Sequence, residues 1–382
     1  MMKKPITFLI IFLIFLFGFS QTTDENTEMK CPDTIPESET TSIETIAAHI
    51  NKHHKTEKEK ITAIYCWLGH NLAYDIAKAA ALPSSTTEFY DKGKNIRNTL
   101  AERKGVCQDY AELMETLCEK CGIKVFPVYG IARDQERIGE AHAWIAARIE
   151  DKWRIYDPTW GAGHINDGVF YQHFDFKFYD IPPKNAIQSH LPFDPIWQLL
   201  SYPVSVESFY HNDFQEELSQ RYFNFSDTIA LFLKKDSVQQ VYDMMRRIET
   251  RGVYNQATVD YLTYLNTIIE NEKVHYFNKG TLAFNEAVAA LNDYSQHFNR
   301  QFTPEKSRET IEKMLITAEA EIKTAVQCFQ SIKNPPAEMH QNILQLNSKI
   351  NTMLQQLVEH KKFVEKYFNT TPALRKTLFY QR

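Results

Sequence analysis

The sequence predicts an α+β domain, a helix packed on an antiparallel sheet, followed by an all-α region that contains an antiparallel helical hairpin. Three patterns carry that expectation. Apolar residues recur at helical spacing from Ser42 onward and again after Gly105. Two β-prone segments flank a polar turn at Glu150 and Asp151, and a heptad-like rhythm sets in at Ile311. Helices before a meandering sheet is the order of an α+β fold. Of 382 residues, 43% are hydrophobic, 24% are charged and only 12 are glycine, a globular composition that favours helices over loops.

The N-terminus has the pattern of a secretory signal over residues 1–20. Lys3 and Lys4 precede an apolar run from Ile6 to Phe17, and Gly18 and Ser20 put small residues before Gln21. A run of about 12 residues falls short of the roughly 20 that span a bilayer. The mature protein is therefore expected to be exported, periplasmic or extracellular. Residues 21–40, rich in Thr, Glu, Asp, Ser and Pro, read as a flexible leader. The formal charge of -5 gives no electrostatic reason for a nucleic-acid partner. Six scattered cysteines (31, 66, 107, 118, 121 and 328) are too few for a disulfide framework in so long a chain.

Ile43, Ile46 and Ile50, then Ile61, Ile64, Tyr65, Leu68 and Leu72, mark the first helices. Another helix is expected from near Gly105 to Cys121, with Gly122 as a left-handed C-cap. Residues 123–132 read as a strand that Pro127 confines to an edge or bulge. Residues 141–149 and 152–157 read as a hairpin. Pro, Gly and aromatic residues then mark irregular chain, and the domain, residues 41–210, closes near residue 210. In the C-terminal region, residues 211–382, Ser226 and Thr303-Pro304 look like helix starts. Ile311 to Ile332 and Ile343 to Tyr367 form two apolar seams joined at Pro335-Pro336, with His360 as a tolerated seam histidine.

The chemistry centres on Cys107. At the start of a helix, unpaired amides and the positive end of the dipole favour a thiolate, the species that attacks in acyl transfer. Arg103 and Lys104 add positive charge, and Gly105 lets the backbone turn tightly ahead of the nucleophile. If Glu150 and Asp151 are the hairpin turn, His142 faces Thr159 and Asp157 faces Trp144. His142 and Asp157 then share a face as diagonal neighbours about 7–8 Å apart. A carboxylate there holds the imidazole tautomer while its other nitrogen meets the thiol. Cys118 and Cys121 spell CxxC but end a helix instead of starting one, and packing is their expected role, as it is for Cys66 and Cys328. The aromatic residues Phe170, Tyr171, Phe174, Phe176, Phe178 and Tyr179 suit a peptide groove or a plain core.

Together, Gly105-x-Cys107, Ala141-His142-Ala143-Trp144 and Tyr156-Asp157-Pro158-Thr159-Trp160-Gly161 resemble the Cys, His and Asp motifs of the transglutaminase-like superfamily. The closer likeness is to its kyphoscoliosis-peptidase-like branch, through Trp67-Leu68-x-x-Asn71-x-Ala73-Tyr74-Asp75 and His190-Leu191-Pro192 with Trp197-Gln198. The resemblance covers roughly residues 41–205. It implies a papain-like core and a Cys107, His142, Asp157 triad acting on a protein or peptide amide. One departure is Ile145, where the branch often has a polar residue, commonly Asn.

The expected function is acyl transfer at amide bonds, hydrolysis ahead of cross-linking, with no cofactor and no metal. The Cys107 N–H is the expected oxyanion donor, with Gln108 or Trp67 as side-chain candidates. The alternative is a non-catalytic envelope adaptor that binds a peptide in the pocket. In either case the C-terminal helices offer a surface for a protein partner.

Overall fold

The computed structural model describes residues 29–81, 91–134, 138–214 and 222–380; the expected signal segment, residues 1–20, lies outside them. No helix among the described residues is long and apolar enough to cross a membrane. Helices α1 (Ile43–His53) and α2 (Glu57–Asn71) begin at Ser42 and Thr56, whose hydroxyls accept from the N–H of Thr45 and Glu59. Strand β1 (Ala73–Tyr74), α3 (Ile76–Ala81) and α4 (Lys92–Glu102) lead to β2 (Lys104–Gly105), which pairs in parallel with β1. Helix α5 (Cys107–Lys120) follows at once, closed by Gly122 at φ 79. Strands β3 (Lys124–Arg133), β4 (Ile138–Ile149) and β5 (Lys152–Tyr156) come next, then α6 (Pro158–Ala162), a hairpin of β6 (Gly163–Asn166) and β7 (Val169–Gln172), the single turn α7 (Pro183–Ala186) and β8 (His190–Pro192).

The main sheet has the order β5-β4-β3-β8, antiparallel throughout. Strand β8 covers only Gly130 to Ala132 of β3, so Pro127 sits on an open edge, where its missing N–H costs no ladder bond. Alternate residues of β4 serve opposite faces. Ala143, Ile145 and Ala147 join a core with α1, α2 and α5, whereas Trp144 and Ala146 face a second core. Ile145 is fully buried among apolar neighbours, which accounts for an apolar residue there.

The second core does not end near residue 210. It takes in Phe209 of α8 (Val206–Tyr210), Ile229 and Phe232 of α9 (Phe225–Phe232), Met244 and Ile248 of α10 (Ser237–Arg251) and Leu265 of α11 (Gln256–Asn299). A third core joins the far half of α11 to α12 (Arg308–Ser331) and α13 (Ala337–Asn369). The hairpin of α12 and α13 turns at Pro335-Pro336 as expected, but α11 packs on α12 as a third member. His360 lies half-buried, its ring 4.7 Å from that of Tyr294.

Three helix and cysteine expectations need correction. The α9 cap is Asn224, not Ser226, and α12 starts at Arg308 behind Ser307 instead of at Thr303-Pro304, because those side chains accept the N–H groups of Asp227 and Thr310. Cys66 is not simply core: it forms a disulfide with Cys31. Residues 29–40 are correspondingly held down, since Ile35 packs on the first core and Arg103 donates to the Thr40 carbonyl. The bond closes a loop with a sequence separation of 35. Replacing Cys31 and Cys66 together by Ala is expected to lower the unfolding free energy by about 2–4 kcal/mol. A denaturant titration with an unchanged midpoint would refute that.

Candidate active site

The first turn of α5 is built around Asp109, not around a tight glycine turn. Asp109 is buried, and its Oδ2 accepts the Val106 N–H at 2.7 Å. Lys78 Nζ reaches both carboxylate oxygens, and Asn95 Nδ2 donates to Oδ1 at 2.7 Å. A Cβ on Gly105 would lie 2.6 Å from the Asp109 Cβ, so Gly105 makes room for the carboxylate. The cations expected to support Cys107 are engaged elsewhere. Arg103 binds Thr40 and lies over the Trp67 ring, and Lys104 lies 3.5 Å from Asp75.

Cys107, the first residue of α5, is half-buried and unpaired. His142, buried on β4, is close enough for Cys107 to act on its titration. The hairpin register is the expected one, from Ile149↔Lys152 to Ile145↔Tyr156. The ladder stops there because Pro158 opens α6, and Asp157 becomes the α6 N-cap. Its Oδ1 accepts from the N–H of Thr159 at 2.9 Å and Trp160 at 3.0 Å, while Oδ2 lies 2.7 Å from His142 Nε2. With Nε2 so committed, Nδ1 is the nitrogen left for the thiol. The Trp160 ring stacks on the imidazole at 5.2 Å.

The electrostatics follow from this geometry. Burial alone would lower the His142 pKa, but Asp157 and Cys107 outweigh it and push it up to about 10. Burial would raise the Asp157 pKa, yet His142 and His190 hold the carboxyl far below the usual range. Sequence reasoning passed over His190 as a site residue. Its Nε2 lies 3.1 Å from the same Asp157 Oδ2, and burial lowers its pKa against the pull of Asp157. His142, Asp157 and His190 also have the composition of a metal site. Their direct N to O spacings of 2.7 and 3.1 Å are those of hydrogen bonds.

A model of the transglutaminase-like superfamily matches residues 44–158, which hold Cys107, His142 and Asp157 but not His190. The chain carries a transglutaminase-like domain. The domain is similar to the kyphoscoliosis peptidases: the human one is 32% identical over 168 residues, and the mouse one 29% over 166. Those alignments take in 41% and 40% of this chain and 24% of each relative. A crystal structure of a TGase is 16% identical, covers 41% of this chain and 38% of its own, and has a TM-score of 0.25.

Within the transglutaminase-like domain the other cysteines are poor nucleophiles. Burial pushes the Cys118 thiol up strongly and the Cys121 thiol up to about 11. Most of the aromatic cluster is core: Phe170, Phe174, Phe176 and Tyr179 pack with the first core, and Phe178 with the second. Tyr171, Ile165 and Val169 stay exposed on the β6–β7 hairpin.

Proposed function

We propose that this chain is an exported cysteine enzyme that cleaves amide bonds of a protein or peptide, with water ahead of an amine as acyl acceptor. The observation that carries this reading is the buried 2.7 Å contact between Asp157 and His142, which leaves the second imidazole nitrogen for a free cysteine at a helix start. The Cys107 sulfur attacks the carbonyl carbon, forming a C–S bond, and the C–N bond breaks as His142 protonates the amine. Water then attacks the thioester carbon as His142 takes its proton, the C–S bond breaks to release the acid, and His142 returns the proton to the sulfur. Asp157 fixes the ring and balances its charge.

As the first residue of α5, Cys107 has no intrahelical acceptor for its N–H, which makes it the first oxyanion donor. Trp67 Nε1, buried without a hydrogen-bond partner among the described residues, offers a second. Gln108 is the weaker candidate, since its amide donates to Glu112 at 2.9 Å. Export is supported by the N-terminal pattern and by the Cys31–Cys66 disulfide, a bond rarely kept in a reducing cytosol.

Iodoacetamide treatment of the folded protein near neutral pH, followed by peptide mapping, tests the assignment. Cys107 is expected to react alone, with Cys118, Cys121 and Cys328 protected by burial until the chain unfolds. A folded protein in which Cys107 is spared, or all four thiols react alike, would sink the enzyme reading in favour of an adaptor.

A further inference from the structure

His190 is a buried titratable group that touches the Asp157 carboxylate and that the reaction above leaves without a task. Resting on the triad reading, we propose that His190 is a positioning residue: an uncharged histidine whose Nε2–H holds Asp157 Oδ2 in place beneath His142.

A count of protons requires it. Asp157 is wholly buried, and four contacts surround its carboxylate: the N–H groups of Thr159 and Trp160 on Oδ1, and the Nε2 atoms of His142 and His190 on Oδ2. An ionised carboxylate only accepts, so both histidines present a hydrogen on Nε2. His190 Nδ1 lies 2.7 Å from Ser189 Oγ. The Ser189 hydroxyl also reaches the Ala186 carbonyl oxygen at 3.5 Å; in the proposed arrangement it turns to donate to the bare Nδ1, which fixes the neutral Nε2–H tautomer. Burial and the neighbouring His142 keep it neutral against the pull of Asp157 and of the Ala186 backbone, with the Ser189 hydroxyl beside them. The His142 ring is 5.8 Å away, and the indoles of Trp144 and Trp160 are at 4.9 and 4.8 Å.

The sheet is shaped to allow the contact. Gly130 of β3 pairs with His142 on one side and Pro192 on the other, and Ala132 pairs with Glu140 and His190. His142 and His190 thus rise from the same face, two strands apart, over a glycine and an alanine. A Cβ on Gly130 would sit 2.2 Å from the Leu191 carbonyl oxygen and 2.6 Å from the Trp144 ring, so no larger residue lets β8 approach. Asp157 comes from the far side of β4. Held by two donors on each oxygen, its carboxylate cannot rotate away from His142. The His190 N–H also keeps it ionised when His142 gives up its proton during turnover.

Two substitutions separate this role from packing. His190→Gln keeps an N–H near the Nε2 position, and His190→Leu keeps bulk without a donor. In Cys107 alkylation by iodoacetamide across pH, H190Q is expected within about twofold of the wild type. H190L is expected to react about tenfold slower, with the acid limb of its profile about one unit higher because Asp157 takes a proton more readily. Equal behaviour of both variants, whether unimpaired or equally impaired, overturns the proposal. Nitrogen NMR of the histidine rings in the full-length protein gives a readout that does not depend on reactivity or on H190L folding. His190 is expected as the neutral Nε2–H tautomer from about pH 5 to 8. A charged His190 or the Nδ1–H tautomer beside a reactive Cys107 overturns this assignment alone. The expected tautomer beside an inert Cys107 sinks the triad reading, and the positioning role with it.

Discussion

Asp157→Asn is expected to slow the reaction of Cys107 by about 10³–10⁴-fold while leaving the thiol and the imidazole in place. The wild-type carboxylate uses every acceptor site it has, on the N–H groups of Thr159 and Trp160 and on His142 and His190. An asparagine supplies one acceptor oxygen and one donor amide. If the oxygen keeps capping α6, the amide meets two imidazole N–H groups and both rings must change tautomer. His142 then turns an Nδ1–H towards the sulfur and can no longer take its proton. The measurement is the second-order alkylation rate, with amide hydrolysis as a second readout once a substrate is known. A variant within tenfold of the wild type would mean that Asp157 only caps a helix.

The same pair fixes a pH dependence of stability. Asp157 has its folded pKa depressed, so its contribution is present above the unfolded value of about 4 and is lost as pH falls below it. His142 is raised to about 10, so its contribution is complete below the unfolded value of about 6.5 and fades as pH climbs through the folded one. His190 has the opposite sign: buried and neutral, it costs stability as pH drops below about 6.5. Wild-type stability should therefore peak near neutral pH, and the gap to the Asp157→Asn variant should shrink above about pH 10.

What could be read from the sequence was local. Glu150 and Asp151 take positive φ, at 48° and 63°, and the turn alone sets the β4–β5 register that puts His142 beside Asp157. The helix start at Cys107 was equally legible, because capping and periodicity act within a few residues. His190 was not, although His190-Leu191-Pro192 was visible as a motif. Its strand pairs with β3 across the whole hairpin and the loops beyond it, and no turn specifies such a register. The Cys31–Cys66 pairing is likewise non-local, and in a leader of polar composition it left no apolar signal. Helix α11 hid its role because one long stripe serves two cores in turn, Tyr261, Leu265 and Ile269 in one and Ala283, Ala287 and Leu291 in another.

Arg247→Met is expected to destabilise the whole protein by about 3–5 kcal/mol, because it strands a buried carboxylate. Arg247 of α10 donates Nε to Asp194 Oδ1 at 2.7 Å and Nη2 to Oδ2 at 2.6 Å, a two-pronged geometry that lysine could not copy. Asp194 lies just past β8 and is almost fully buried. Burial raises its pKa even with the arginine present. Without Arg247 the folded protein holds the Asp194 proton more tightly still, and an acid whose folded pKa is raised loses stability as pH rises. The deficit of the variant should therefore narrow in acid, below about pH 5, and be widest at neutral pH. Adding Asp194→Asn should recover much of the loss, and a double-mutant cycle from urea unfolding measures the coupling. A chain ending near residue 210 loses Arg247 together with Phe232, Met244, Ile248 and Leu265, which cover the Trp144 face of the sheet. It should therefore be less stable than the intact protein and prone to aggregate. If instead such a chain melts at the intact protein's temperature and labels normally at Cys107, then α10 is a bystander. The Asp194 contact would then have no part in holding β8, and His190, against Asp157.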